Sequence, residues 1–218
     1  MPQGHLEVIC GCMFSGKTEE LIRRLKRANY ARQRVQVFKH RLDDRYDELS
    51  LASHSGLKLP TFAAADARSL VQAVVPGTEV VGIDEVQFFG LEIVWAVEEL
   101  VRKGLRVVAS GLDLDFRGEP FGPMPQLLAR AEMVDKLTAI CVLCGQPATR
   151  SQRLIDGHPA PWDAPVVSIG SSEQYQPRCR SCHVVPGASG HRDLSPWQQP
   201  DLGDGRSDFN QAGGRTTW

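Results

Sequence analysis

Residues 11–18, GCMFSGKT, have the spacing G-x-x-x-x-G-K-[ST]. Gly11 and Gly16 let consecutive backbone N–H groups turn toward one anion. Lys17 adds a point charge, and the Thr18 hydroxyl is a ligand for a divalent cation. The helix that must follow contributes the positive end of its dipole. This chemistry suits the phosphates of a nucleoside triphosphate carrying Mg²⁺. Cys10 and Cys12 flank the cradle. Cys10 reads as core, and Cys12 reads as a thiol facing the site and open to oxidation.

A second group is Asp84-Glu85, closing the apolar stretch EVVGIDE at 79–85. Acids at the carboxyl end of a buried strand stand where open α/β sheets bind ligands. One acid can hold a metal. The other can activate water, as in an NTPase, or take a proton from a substrate hydroxyl, as in a kinase. The residues themselves leave both routes open. A third group is Cys141-x-x-Cys144 followed, after 34 intervening residues, by Cys179-x-x-Cys182. Four thiolates so spaced fit a closed tetrahedral zinc site, whose role is structural because no coordination position stays open. His183 reads as a solvent-facing neighbour of that site.

The elements that must carry these groups follow from periodicity. HLEVIC (5–10) is a short apolar strand ahead of the glycine loop, and 18–31 is a helix with Leu21, Ile22, Leu25 and Ala28 on one face. Strands are expected at 35–39, 79–85 and 105–113, and helices at 64–75, 92–104 and 126–134. Residues 40–60 and 113–125 read as irregular. Strands alternating with helices define an α/β fold, a parallel sheet with helices on both faces. The expected division is a P-loop domain at 1–138, a zinc-binding domain at 139–184 and a tail at 185–218. The tail is rich in Gly, Pro, Asp and Gln and buries too little apolar surface to offset its ordering entropy, so it reads as disordered.

Composition narrows the function classes. Apolar content of 42% and charged content of 23% are those of a globular chain, and the net charge of −1 supplies no field for nucleic acid or an anionic membrane. No apolar run reaches the length of a membrane span. MPQGHLEVIC lacks the charged and apolar regions of a secretion signal, so the cytoplasm is the expected compartment. A zinc-dependent nucleic-acid binder would need a basic cluster that the region between the cysteine pairs lacks.

In combination, GCMFSGKTEELIRR, DDRY, SHSG, GIDEVQFF, SGLDLDFRGEPFGPM, KLTAICVLCGQPATRSQRL and SIGSSEQYQPRCRSC resemble, in order, the thymidine kinase family with a RecA-like P-loop domain and a zinc-clipped lasso. The resemblance implies transfer of the ATP γ-phosphate to the 5′-hydroxyl of thymidine, and of deoxyuridine. Glu85 would be the general base. Gly11, Met13, Phe14, Ser15, Gly16, Lys17, Thr18, Asp84 and Gln87 would hold ATP and Mg²⁺. Met13, Phe88, Leu112, Phe116, Phe121, Ser151 and Tyr175 would line or support the nucleoside pocket, with backbone around Ile169 and Gly170 reading the base. Arg45 and Arg117 would meet phosphate or order loops. A homotetramer and feedback inhibition by thymidine triphosphate are implied as well.

Two positions depart from the family's usual residues: Cys12 stands for Pro and Ser151 for Thr. The family places the latter near the 5-methyl group. The lost methyl contact, about 1 kcal/mol, would relax discrimination among 5-substituents.

Overall fold

The computed structural model describes residues 4–41, 50–52, 58–167 and 174–188. The first lobe runs β1 (His5–Gly11), α1 (Lys17–Tyr30), β2 (Val35–His40), β3 (Ser50–Ala52), β4 (Lys58–Ala64), α2 (Ala67–Ala73), β5 (Val80–Asp84), α3 (Glu92–Arg102), β6 (Arg106–Gly111), α4 (Met124–Arg130) and β7 (Met133–Leu137). One 3₁₀ turn, Val86–Phe88, follows β5. The sheet order is β3-β4-β2-β5-β6-β1-β7. Six strands are parallel, and only the β3–β4 pair is antiparallel.

Helices cover both faces, as alternation required. On one face α1 packs Leu21, Ile22, Leu25 and Ala28 onto Ile9, Val37, Val80 and Val108. On the other, α2, α3 and α4 bury Leu70, Ile93, Val97, Leu100, Met124 and Leu127 against Leu6, Val8, Phe38, Val81, Ile83 and Val107. A strand buried on both faces reads as a continuous apolar run, which is why β1, β5 and β6 were visible in the sequence.

Several expectations are corrected. Residues 40–60 are not all irregular: β3 and the start of β4 lie there, and β4 pairs with β2. The helix expected at 64–75 shrinks to α2, because Ala64 ends β4 and Asp66 caps the helix, accepting from the Ser69 N–H at 2.7 Å. The helix expected at 126–134 stops at Arg130, and Met133 and Val134 open β7, an edge strand alongside β1.

The second lobe contains β8 (Ala139–Ile140), β9 (Pro147–Ala148), β10 (Arg150–Ile155), β11 (His158–Pro159) and β12 (Gln174–Arg178). β8 pairs with β9, while β10 is the centre of a three-stranded antiparallel sheet between β11 and β12. Residues 184–188 continue against this lobe. Gln152 brackets Val184, accepting from its N–H and donating to its carbonyl at 2.9 Å each, and the Trp162 N–H donates to the Pro186 carbonyl at 2.8 Å. Among the described residues, no helix is long and apolar enough to cross a membrane.

Candidate active site

Three strand ends build the site. β1 delivers the glycine loop, β5 delivers Asp84 and Glu85, and β6, inserted between them, delivers Ser110 and Gly111. Gly16 caps α1 with φ 85°, and Gly11 has φ 144°, conformations open to glycine. A Cβ on Gly11 would also strike the Leu137 carbonyl at 2.4 Å. Lys17 is buried and its ammonium donates to the Cys12 carbonyl at 2.9 Å. The Ser15 hydroxyl is buried with no hydrogen-bond partner. A buried hydroxyl with no protein partner in this loop fits a phosphate oxygen as its acceptor.

Asp84 joins the loop to the acid pair. Its Oδ2 accepts from Thr18 Oγ1 at 3.2 Å, and its Oδ1 from Ser110 Oγ at 2.8 Å and the Glu85 N–H at 3.0 Å. Burial, and then the neighbouring Glu85 charge, push its carboxyl up to about 7 despite those donors and Lys17. A carboxylate so costly to ionise alone is stabilised by a cation, and the adjacent Thr18 hydroxyl completes a pair of oxygens suited to Mg²⁺.

Glu85 has φ 49° and ψ 43°, a left-handed conformation that costs a non-glycine residue on the order of 1–3 kcal/mol. Gln87 braces its side chain, donating from Nε2 to Glu85 Oε2. The other end of the Gln87 amide accepts from the Leu112 N–H at 3.0 Å. Phe88 follows, and its ring meets Phe121 edge-on, centroids 6.2 Å apart. Gln87 thus ties the Glu85 carboxylate to the backbone just beyond β6.

The remaining expected residues divide between loop and second lobe. Met13 donates its N–H to Ser151 Oγ at 3.0 Å, so Ser151 meets the glycine loop. Phe116 is buried in the second lobe with Ala160 and Ala164, packed by Tyr175 and Val185, and supports that lobe. Arg117 orders this region: its guanidinium lies 5.3 Å from the Phe116 ring and 5.4 Å from the Trp162 ring, and donates to the Ala164 carbonyl at 2.8 Å. Arg153, cross-strand from Tyr175, lies 5.3 Å from Phe116 on its other contact and donates to the Pro165 carbonyl. Ile169, Gly170 and Arg45 lie outside the described residues.

The cysteine quartet converges. All four sulfurs lie within 4.8 Å of one another, and Cys144 and Cys179 are 3.6 Å apart. A zinc tetrathiolate with bonds of about 2.3 Å has sulfur–sulfur edges of about 3.8 Å, so the quartet fits a metal such as zinc. Two nearby expectations change. Cys12 does not face the site: it is buried, its Sγ donates to the Ala148 carbonyl at 3.3 Å, and burial pushes its thiol up. Cys10 is core as expected, its thiol pushed up to about 11 by burial. His183 is half-buried rather than simply solvent-facing, and its Nε2 meets the Phe116 carbonyl at 2.8 Å.

Sequence reasoning missed Ser110, the bracing of Glu85 by Gln87, and the contact of His183 with the Phe116 carbonyl. ASG at the end of an apolar strand was a visible signal for Ser110. Nothing in the sequence says that β6 lies between β1 and β5.

The fold and site define a P-loop phosphate-binding protein with a cysteine-clipped appendage. The chain belongs to the thymidine kinase family, whose profile matches residues 4–183. It is 59% identical over 192 residues to a thymidine kinase of Deinococcus deserti, covering 84% of this chain and 95% of that protein. Among solved structures, the flagellar accessory protein FlaH of Methanocaldococcus jannaschii is 13% identical, with TM-score 0.45 over 67% of this chain and 76% of that one. The genome-packaging NTPase B204 of Sulfolobus turreted icosahedral virus 2 is 18% identical, with TM-score 0.44 over 64% and 76%.

Proposed function

We propose that the chain is an ATP:thymidine 5′-phosphotransferase, accepting deoxyuridine as well, that serves pyrimidine deoxynucleotide salvage. The observation that carries the reading is Gln87, which holds Glu85 with one end of its amide and the backbone of Leu112 with the other. A carboxylate held in one place by such a bridge suits the proton of a positioned substrate hydroxyl.

Loop residues 11–18 would hold the triphosphate, Lys17 offsetting its charge. Thr18 and Asp84 would hold Mg²⁺, which supplies neutralisation of the phosphate oxygens. Glu85 would take the proton of the 5′-hydroxyl as the γ-phosphoryl group transfers, a reaction needing mainly positioning and charge compensation. Met13, Phe88, Leu112 and Phe121 would flank the nucleoside, with Tyr175 and the backbone around Ile169 and Gly170 on the lasso side. The cysteine quartet would carry structural Zn²⁺. In this reading 1–138 is the kinase domain, 139–184 the lasso and 185–218 a tail whose first residues, 185–188, pack on the lasso. Family membership supports a cytoplasmic homotetramer, inhibited by thymidine triphosphate, with no nucleic-acid or membrane partner.

The test offers Mg·ATP with thymidine, deoxyuridine, deoxycytidine or deoxyadenosine and quantifies ADP and nucleoside monophosphate together. Equal amounts of ADP and thymidine monophosphate, absent in Glu85→Gln, are expected. ADP release indifferent to the nucleoside would instead identify an NTPase.

A further inference from the structure

The glycine loop contains a strained residue that its motif does not require. Phe14 has φ 66° without a glycine's freedom, and its side chain is 65% exposed, so its own packing does not hold it there. Such a conformation persists only where neighbouring groups fix it. Those groups lie just before it. The Met13 N–H donates to Ser151 Oγ at 3.0 Å, Cys12 Sγ donates to the Ala148 carbonyl at 3.3 Å, and the Cys12 carbonyl accepts from Lys17 at 2.9 Å. Ser151 is 3% exposed in β10, the central strand of its sheet, and is therefore a firm anchor.

We propose that Ser151 is a positioning residue for the phosphate-binding loop. Its hydroxyl fixes Met13, which maintains the Phe14 turn and so the presentation of the amides at 15–18 to the triphosphate. The second lobe then acts on the ATP side of the reaction as well as on the nucleoside side. The Met13 amide is committed to the lobe and takes no phosphate oxygen. The inference rests on ATP binding at this loop, as proposed above. It also changes the meaning of the departure at 151: threonine and serine share the hydroxyl, and the hydroxyl is the part the loop uses.

Threonine and valine have nearly the same shape and differ by that hydroxyl, so Ser151→Thr and Ser151→Val separate its effect from volume. The measurement is calorimetric binding of a non-hydrolysable Mg·ATP analogue to the full chain with no nucleoside present. Ser151→Thr is expected within about threefold of wild type and Ser151→Val about tenfold weaker, the effect of one buried hydrogen bond lost. Ser151→Ala, which adds no volume, answers the same question should valine abolish the cooperative melting transition. Equal binding by the hydroxyl-bearing and hydroxyl-free variants, with changes confined to nucleoside KM, would overturn the inference. Failure of the wild-type chain to bind the analogue would overturn the loop assignment itself.

Discussion

At the residue scale, the site is a chain of side chains each holding the next. Thr18 and Ser110 hold Asp84, whose Oδ1 also takes the Glu85 N–H, while Gln87 holds the Glu85 carboxylate. Glu85→Gln keeps the shape but removes the carboxylate proposed to accept the proton. It is expected to lower kcat by about 10²–10⁴-fold while ATP binding persists, checked by single-turnover assay beside direct binding. Gly111→Ala tests the brace from a distance. A Cβ there would lie 2.6 Å from Gln87 Oε1, displacing the amide that holds Glu85. A fall in kcat of about tenfold or more is expected, since small misplacements of a catalytic group are costly, with ATP affinity nearly unchanged. An unaltered kcat would show that Gln87 does not set the Glu85 position. Lys17, Thr18, Asp84 and Glu85 were legible because their meaning lies in local spacing. Gln87 was legible as a site residue, but its anchoring to the Leu112 N–H, and Ser110 altogether, depend on which strands neighbour each other.

At the element scale, β1, α1, β6 and β7 meet at a buried ion cluster. Glu7 on β1 receives Arg24 of α1 at 2.7 Å and Arg106 of β6 at 2.6 Å, and Arg24 also reaches Glu20 at 2.8 Å and Asp135 of β7 at 2.5 Å. Burial alone would raise the Glu7 carboxyl, but hydrogen bonds from Arg106 and Arg24 outweigh it and hold the group at about 2. Because the folded value lies below the ordinary 4.5, the stabilisation is full above about pH 4.5 and declines as pH falls toward 2. Glu7→Gln leaves two guanidinium groups short of a partner and is expected to cost about 3 kcal/mol near neutrality. Melting curves of the two proteins should differ most above pH 5 and draw together as pH falls below 4.5. A constant gap would assign the cost to packing. The cluster also explains the misreading of β7. MVDKL is largely exposed and lacks alternation, so its first two residues read as a continuation of α4. Its place in the sheet comes from pairing with β1 and from Arg24 reaching Asp135. β3 and β4 were hidden for a related reason. Pro60 sits in the strand pair at the sheet's edge, where proline is tolerated but the sequence signal is weakened.

At the scale of the whole molecule, the two lobes have unequal means of staying folded. The sheet lobe has apolar cores on both faces, whereas among the described residues the second lobe buries fewer apolar groups, chiefly Ala139, Cys141, Ala148, Leu154, and Phe116 with Ala160 and Ala164. So little apolar burial needs a cross-link, and the cysteine quartet is placed to supply it. The quartet was legible because ligand spacing is local. The docking of its lobe was not, since it depends on distant pairs: Cys12 with Ala148, Met13 with Ser151 and His183 with Phe116. These pairs make metal loss more than a local event. Chelation under reducing conditions, or Cys179→Ser, is expected to release one zinc per chain and abolish thymidine monophosphate formation. Helical content should remain largely intact, because the described helices all belong to the sheet lobe. Metal analysis, circular dichroism and the nucleoside assay on one sample check each part. Full activity after complete zinc loss would show that the lobe holds its position without the cross-link. Loss of the helical signal together with zinc would show instead that the sheet lobe depends on the metal for its own stability.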